Sequence, residues 1–352
     1  MASPISDGTR HPFSEPQDDL ELELSAELEA QPSDRASSST PSTPSSSAEE
    51  EDPWQIVSDQ SIIQGSVWYA DGNVIMQAEN TQFKVFQGVL TSHSPVFAAI
   101  LEDIEIEEVD GCRIIRTDDA AEDMRYFLEA FHCLTLPDGL SDLRQICAFL
   151  KLGTRYQVPP IQRLAIKTLC TSYPSSLSSW SKRQGYRTFV PTHGASLEIL
   201  NLARAYQIKQ ILPTVMYQCA RFCAYRTLMQ GFSGHRIADP MDVQRCVIAK
   251  AQFAQAVKQS YAFLGDETPV KGCAYSAAGG EEGFDPGLSV CVLEKYRLMR
   301  SIWAQDTSPL GVQIDWATFK ACRACVSHAK AMVKAERQKY WDSLPTLFGL
   351  NG

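Results

Sequence analysis

From about residue 65 the chain reads in twos. In GSVWYADGNVIMQAENTQFKVFQGVL, apolar and polar side chains alternate through three short runs, separated by the turn signals Asp71-Gly72-Asn73 and Glu79-Asn80-Thr81. The pattern predicts three strands, read as an antiparallel meander, with order beginning between Trp54 and Val67. After Val85 the period lengthens to about 3.6, so that Phe86, Val89 and Leu90 share one helical face. Ser94-Pro95 then restarts a helix, with serine as cap and proline at the first helical position, and Phe97, Ile100 and Leu101 form its stripe. Two short helices meeting at a tight corner must bury their apolar side against the preceding strands.

The next segment, EDIEIEEVDG, is an acidic, edge-like loop, and CRIIR is a short strand. Asp119 and Glu122 are spaced like a capping box. Met124, Phe127, Leu128 and Phe131 follow at helical intervals. Ser141 is placed to cap a further helix with Leu143, Ile146, Cys147 and Leu150 inward, and Pro159-Pro160 ends it. Ile161, Leu164, Ala165, Thr168 and Leu169 line the helix after that. Residues 173–193 read as a linker.

Helical periodicity then dominates residues 194–350. Leu197, Leu200, Ala203, Leu212, Val215, Met216, Cys219 and Phe222 mark one helical pair. Val243, Cys246, Val247, Phe253 and Val257 mark another helix. Residues 264–288 are Gly-rich and polar and read as a mobile loop. WATFKACRACVSHAKAMVKAERQKYWDSLP reads as one continuous helix.

Charge separates the N-terminus from the rest. Of 352 residues with net charge −10, residues 1–60 hold fourteen acids against two bases, leaving the remainder close to neutral. A near-neutral folded part lacks the clustered Lys and Arg of a nucleic-acid-binding face. Residues 1–53, poor in aromatics and rich in Ser, Pro and acids, have too little apolar surface to fold alone and are read as a disordered tail. Within it Leu20, Leu24 and Leu28 recur one helical turn apart, as a partner-binding helix or a solvated acidic coil. Thr40 and Thr43 precede prolines, and Ser46 and Ser47 each have a glutamate three residues on; these are candidate phosphorylation sites. No apolar run reaches the roughly 20 residues of a membrane span, and the acidic start is unlike a secretory leader. The expected setting is cytoplasm or nucleus, where the eleven cysteines stay mostly reduced and serve as small buried hydrophobes.

The order strand–strand–strand, two helices, strand, helix pairs resembles the BTB/POZ domain over roughly residues 60–172. The resemblance is carried by DGNVIMQAENTQFKVFQGVLTSHSPVF, IIRTDDAAEDMRYFLEAFH and ICAFLKLGTRYQVPPIQRLAIKTL. The chain is most similar to fungal members with a long helical C-terminal extension, which also end in a W-x-x-L-P-x-x-F-x-L segment, here Trp341, Leu344, Pro345, Phe348 and Leu350. Asn73 and Phe86 stand where many relatives have Asp and His. The expected architecture is α+β: a BTB/POZ-like domain at 54–172, built of a small antiparallel or mixed sheet covered by helices, followed by a helical region at 194–350.

The resemblance implies a non-enzymatic protein-interaction module. It implies a homodimer or hetero-oligomer, and a cullin-3 ubiquitin-ligase adaptor; the alternative is a transcriptional regulator that uses the acidic tail as an activating segment. It places self-pairing at Trp68, Tyr69, Phe86 and Leu90. A cullin-type partner would meet Ile104, Ile106 and Glu108, since Ile106-Glu107-Glu108 matches an apolar–x–Glu element, although a solvated loop explains the same residues. No phosphate loop, dinucleotide glycine pattern or nucleophile elbow appears, so no catalytic or cofactor residue is expected. Cys322-x-x-Cys325 with His328 has metal-like spacing, but without a visible fourth ligand it is read as helix packing, and no metal is expected.

Overall fold

The computed structural model describes residues 61–102, 107–109, 111–133, 136–275 and 289–350. The tail at 1–53, the expected start of order at Trp54, and the candidates Ile104 and Ile106 lie outside the described residues.

Five strands form one mixed sheet: β1 (Ile63–Trp68), β2 (Val74–Ala78), β3 (Thr81–Val85), β4 (Glu108–Val109) and β5 (Cys112–Thr117), in the order β1-β3-β2-β5-β4. β2 and β3 pair antiparallel across the Glu79-Asn80 turn, as their alternation predicts. The meander itself is corrected. β1 pairs with β3, in parallel, and β2 pairs with β5, also in parallel. The connection from β1 to β2 is wide enough to admit β3 between them, because its backbone bonds to β3: Tyr69 N–H donates to Lys84 O at 2.9 Å and Asn73 N–H to Val85 O at 3.0 Å. Gly72 makes this approach possible; a Cβ there would lie 2.9 Å from Val85 O. Alternation fixes which face of a strand is buried and leaves its neighbour open.

Helices α1 (Gln87–His93) and α2 (Pro95–Glu102) cover the sheet. Asn73 Oδ1 accepts from the first N–H of α1, that of Gln87, at 2.8 Å. Ser94 caps α2 as expected, accepting from Phe97 N–H at 3.1 Å, and its buried hydroxyl also donates to Tyr156 O at 2.6 Å. Leu90, Phe97 and Leu101 are buried. Helices α3 (Ala121–Phe131), α4 (Leu143–Arg155) and α5 (Pro159–Ser172) follow, and every inward position expected of α3 and α5 is buried.

Two expected caps are replaced. Asp119 does not cap α3; it is fully buried, and Glu79 Oε2 accepts from Ala121 N–H at 3.2 Å instead. Asp142, not Ser141, caps α4, accepting from Arg144 N–H at 3.0 Å. Asp119 acts as a hub. Its carboxylate takes Arg155 Nη1 at 3.0 Å, Lys151 Nζ at 3.5 Å, and the hydroxyls of Tyr156 and Thr117 at 2.8 Å each. A buried carboxylate satisfied on both oxygens ties the end of β5 to α4.

The remaining helices are α6 (Leu177–Lys182), α7 (His193–Ala205), α8 (Leu212–Phe222), α9 (Tyr225–Gln230), α10 (Pro240–Ser260), α11 (Val290–Trp303) and α12 (Arg323–Leu347). The stretch read as a linker at 173–193 contains α6 and buries Tyr173, Trp180 and Phe189. The described residues fall in one compact unit; its main core gathers buried side chains from Val67 to Phe253 with Leu310, Trp341, Leu344 and Phe348, and a second, smaller core from Val257 to Val333 joins the end of α10 to α11 and α12. Trp341, Leu344 and Phe348 close this core from the C-terminal end of α12. Trp341 packs on Trp180 with ring centroids 5.7 Å apart, and its indole N–H donates to Ser175 O at 3.1 Å. Buried Asp242 of α10 receives a two-pronged Arg204 from α7, at 2.6 and 2.7 Å, and Arg245 at 2.9 Å.

α12 begins at Arg323, with Cys322 as its cap residue, so the continuous helix expected from Trp316 is corrected. The loop expected to be mobile at 264–288 is described only in its first part. Residues 264–275 are held by turns, and Tyr296 hydroxyl donates to Glu267 Oε1 at 2.6 Å; residues 276–288 lie outside the described residues.

Candidate functional sites

The first candidate site is the β1 side of the sheet. β1 is an edge strand whose outer N–H and C=O groups pair with no strand among the described residues. Its register slips between Gln64 and Trp68, where three residues of β1, Gly65 to Val67, face Phe83 alone on β3. Gly65 sits in this bulge, and a Cβ there would fall 2.4 Å from the ring of Phe83. Ile62 and Ile63 at its start are 59% and 52% exposed.

At the other end of β1, Trp68, Tyr69 and Phe86 are half-buried. Tyr69 stacks obliquely on Phe86 at 5.0 Å and on His132 at 4.9 Å, and Phe86 lies 6.2 Å from His132. The sequence reading found two members of this trio and missed His132, which follows the end of α3. His132 Nδ1 meets Leu128 O at 2.9 Å, while its buried Nε2 has no hydrogen-bond partner. Burial therefore lowers the imidazole pKa, only partly offset by the Leu128 carbonyl. Leu90, expected among the contact residues, is fully buried in the main core and offers no surface. The reason is helical phase: Leu90 points at the sheet, while Gly88 and Ser92 take the outer face of α1.

Glu108 lies on β4, at the opposite edge of the sheet, and is exposed, as is Val109 beside it. Glu107 is engaged by Arg116, whose hydrogen bond lowers its carboxyl pKa. The two candidate surfaces therefore occupy the two edges of one sheet.

The second candidate site is a cysteine cluster. Cys273, Cys291, Cys322 and Cys325 place all four sulfurs within 4.8 Å of one another. Cys322 and Cys325, read as helix packing, are thus joined by two cysteines from 31 or more residues upstream of Cys322 in sequence, where no local spacing reveals them. Cys273 closes a turn, its N–H donating to Val270 O at 2.8 Å, with Gly272 at φ +80°. Cys291 is the second residue of α11, Cys322 caps α12, and Cys325 lies in the first turn of α12. Burial opposes ionisation at Cys322, but the N–H groups of Cys325 and Ala274 and the neighbouring thiols outweigh it and bring that thiol down to about 6. Burial and the neighbouring thiols push Cys325 up. His328 is not part of the cluster; it lines an adjoining open groove with Asp266 and Lys295.

No described helix is long and apolar enough to cross a membrane. No curated protein matches the chain. Residues 70–173, from the β1–β2 connection through the end of α5, match the family model of the BTB/POZ domain, and with the five-stranded mixed sheet under its helices this segment is a BTB/POZ domain, a protein-interaction module.

Proposed function

We propose that the protein is a non-enzymatic BTB/POZ interaction protein that pairs with a second copy through the β1 edge and the adjoining aromatic trio. The observation that carries this reading is the juxtaposition of an open strand edge, two exposed isoleucines and half-buried Trp68, Tyr69 and Phe86. An open edge supplies directional backbone bonds, and the aromatics supply apolar area at low entropic cost. A two-fold axis would let each copy present the same patch to the other. Light scattering on the full chain, coupled to size exclusion, tests it. The wild type is expected at twice the chain mass and Ile62→Glu/Ile63→Glu at the chain mass. A monomeric wild type, or a variant that stays dimeric, contradicts it.

The cullin-3 adaptor reading rests on the opposite edge, where Glu108 is exposed on β4 beside exposed Val109. The helical pair α7–α8 follows the domain in the place such adaptors use. Capture of cullin-3 by the wild type, weakened in Glu108→Ala, supports it; equal absence from both removes it. The transcriptional reading, recruitment through the BTB/POZ domain with the acidic tail as an activating segment, needs residues 1–53, which lie outside the described residues.

A further inference from the structure

We propose that Cys273, Cys291, Cys322 and Cys325 form a structural zinc site. The distances fit one ion. A tetrahedral Zn²⁺ with bonds of about 2.3 Å to sulfur sets its ligands about 3.8 Å apart. Cys322 Sγ and Cys273 Sγ are 3.9 Å apart, and no pair of the four exceeds 4.8 Å. Disulfide sulfurs would stand about 2.05 Å apart. Four sulfurs and no carboxylate make a soft donor set, which selects zinc over calcium or magnesium. With all four positions taken by protein, the site is closed and has no place for a reacting water.

The surrounding backbone suits four thiolates. Cys322 N–H donates to Cys291 Sγ at 3.2 Å, the kind of outer bond that orients a metal ligand. Cys291 and Cys325 each sit in the first turn of a helix, where free N–H groups favour negative sulfur. Cys322-x-x-Cys325 has the spacing of half a zinc site, and the turn at Val270–Cys273 with the start of α11 supplies the other half.

Packing does not explain the cluster. Three of the four cysteines are buried in a small group of their own, distinct from both larger cores, with Val270 and Ala321 as its only other apolar neighbours among the described residues. So little apolar area gives a weak reason to gather four cysteines from three places in the chain. Cys219 and Cys246 show what packing cysteines do here: they lie among leucine, valine and methionine in the main core, with sulfurs turned to the carbonyls of Ser196 at 3.4 Å and Met216 at 3.8 Å. The ion would bind with release of the thiol protons and would fasten the start of α11, the start of α12 and the turn after α10 to one another.

The test is metal analysis of the full chain, purified under reducing conditions without added metal. One zinc per chain is expected, retained in Cys133→Ser and lost in Cys273→Ser and Cys325→Ser. The wild type provides a readout independent of how those variants fold: after removal of its metal, added Co²⁺ should develop the visible spectrum of a tetrahedral tetrathiolate, and zinc should erase it. Failure of the reduced wild type to hold zinc and to take up cobalt overturns the proposal. So does iron in place of zinc, a disulfide joining two of the four cysteines in the purified protein, or unchanged zinc in Cys273→Ser and Cys325→Ser.

Discussion

The main core and the cysteine cluster use the same residue type in opposite ways. In the main core Cys219, Cys223 and Cys246 neighbour one another, Cys219 bonding to Cys223, but they are small fillers surrounded by larger apolar side chains. In the small cluster at the start of α12, cysteines are most of what is buried, and little apolar surface among the described residues accompanies them. One region is held by apolar area. The other has sulfur where a core would be. Burial alone does not reveal what a cysteine does; its neighbours do.

The largest effect should come from breaking the apolar side. Phe127 is fully buried against Phe97, Phe131 and Tyr156. Phe127→Ala is expected to cost about 3–5 kcal/mol in urea denaturation, by the same amount with or without a chelator. A cost that depended on the chelator would blur the distinction between the regions.

Next comes the ionic clamp between α7 and α10. Asp242→Ala strands Arg204 and Arg245 beside a buried site, but both guanidinium groups keep about a third of their exposure. Water then offsets part of the loss, and about 2 kcal/mol is expected by the same measurement. Cys246→Ala should cost still less, about 1 kcal/mol, by removing one buried sulfur from a packed core, and should leave the metal content unchanged. Release of metal by this variant would contradict the division between the two kinds of cysteine.

The smallest effect concerns His132. Its folded pKa is lowered by burial, so the unfolded chain binds the proton more readily. Stability is then complete above the ordinary histidine pKa of about 6.5, and declines as pH falls from there through the lowered value. His132→Phe, which keeps the ring beside Tyr69 and Phe86, should flatten that part of the stability–pH curve. An unchanged slope would mean that the imidazole is not held neutral by its surroundings.

Much of the BTB/POZ domain was legible in the sequence because its helices obey a single local rule. Met124, Phe127, Leu128 and Phe131 had one face to bury, and they bury it. Ser94-Pro95 announced α2 because cap and first-turn chemistry are local too. What required partners distant in sequence was not legible. The place of β1 beside β3 follows from where a five-residue connection crosses the sheet. Asp119 resembled a cap, but its partners Lys151, Arg155 and Tyr156 come from α4, and they draw it into the interior. Trp180 is buried because Trp341 returns to cover it from the far end of the chain. Leu90 was assigned to a surface from its place on α1, when the phase of that helix turns it inward.

The cysteine cluster is the extreme case. Cys322 and Cys325 show half of a site, and seventeen residues separate Cys273 from Cys291. Only the packing of the turn after α10 against the starts of α11 and α12 brings the halves together. The aromatic trio shows a milder form of the same problem: the pairing of the β1 end with β3 brings Tyr69 beside Phe86, and His132 joins them only because α3 lies across β1.

The division between a core held by apolar burial and a segment held by cysteine ligands is tested most directly by hydrogen exchange of the full reduced chain, followed by mass spectrometry with and without a zinc chelator. The account predicts faster exchange with chelator in peptides covering residues 264–275, the start of α11 and the first turns of α12, with β2, β3 and α3–α5 unchanged. Equal acceleration across the BTB/POZ domain, or no change around the four cysteines, would contradict it.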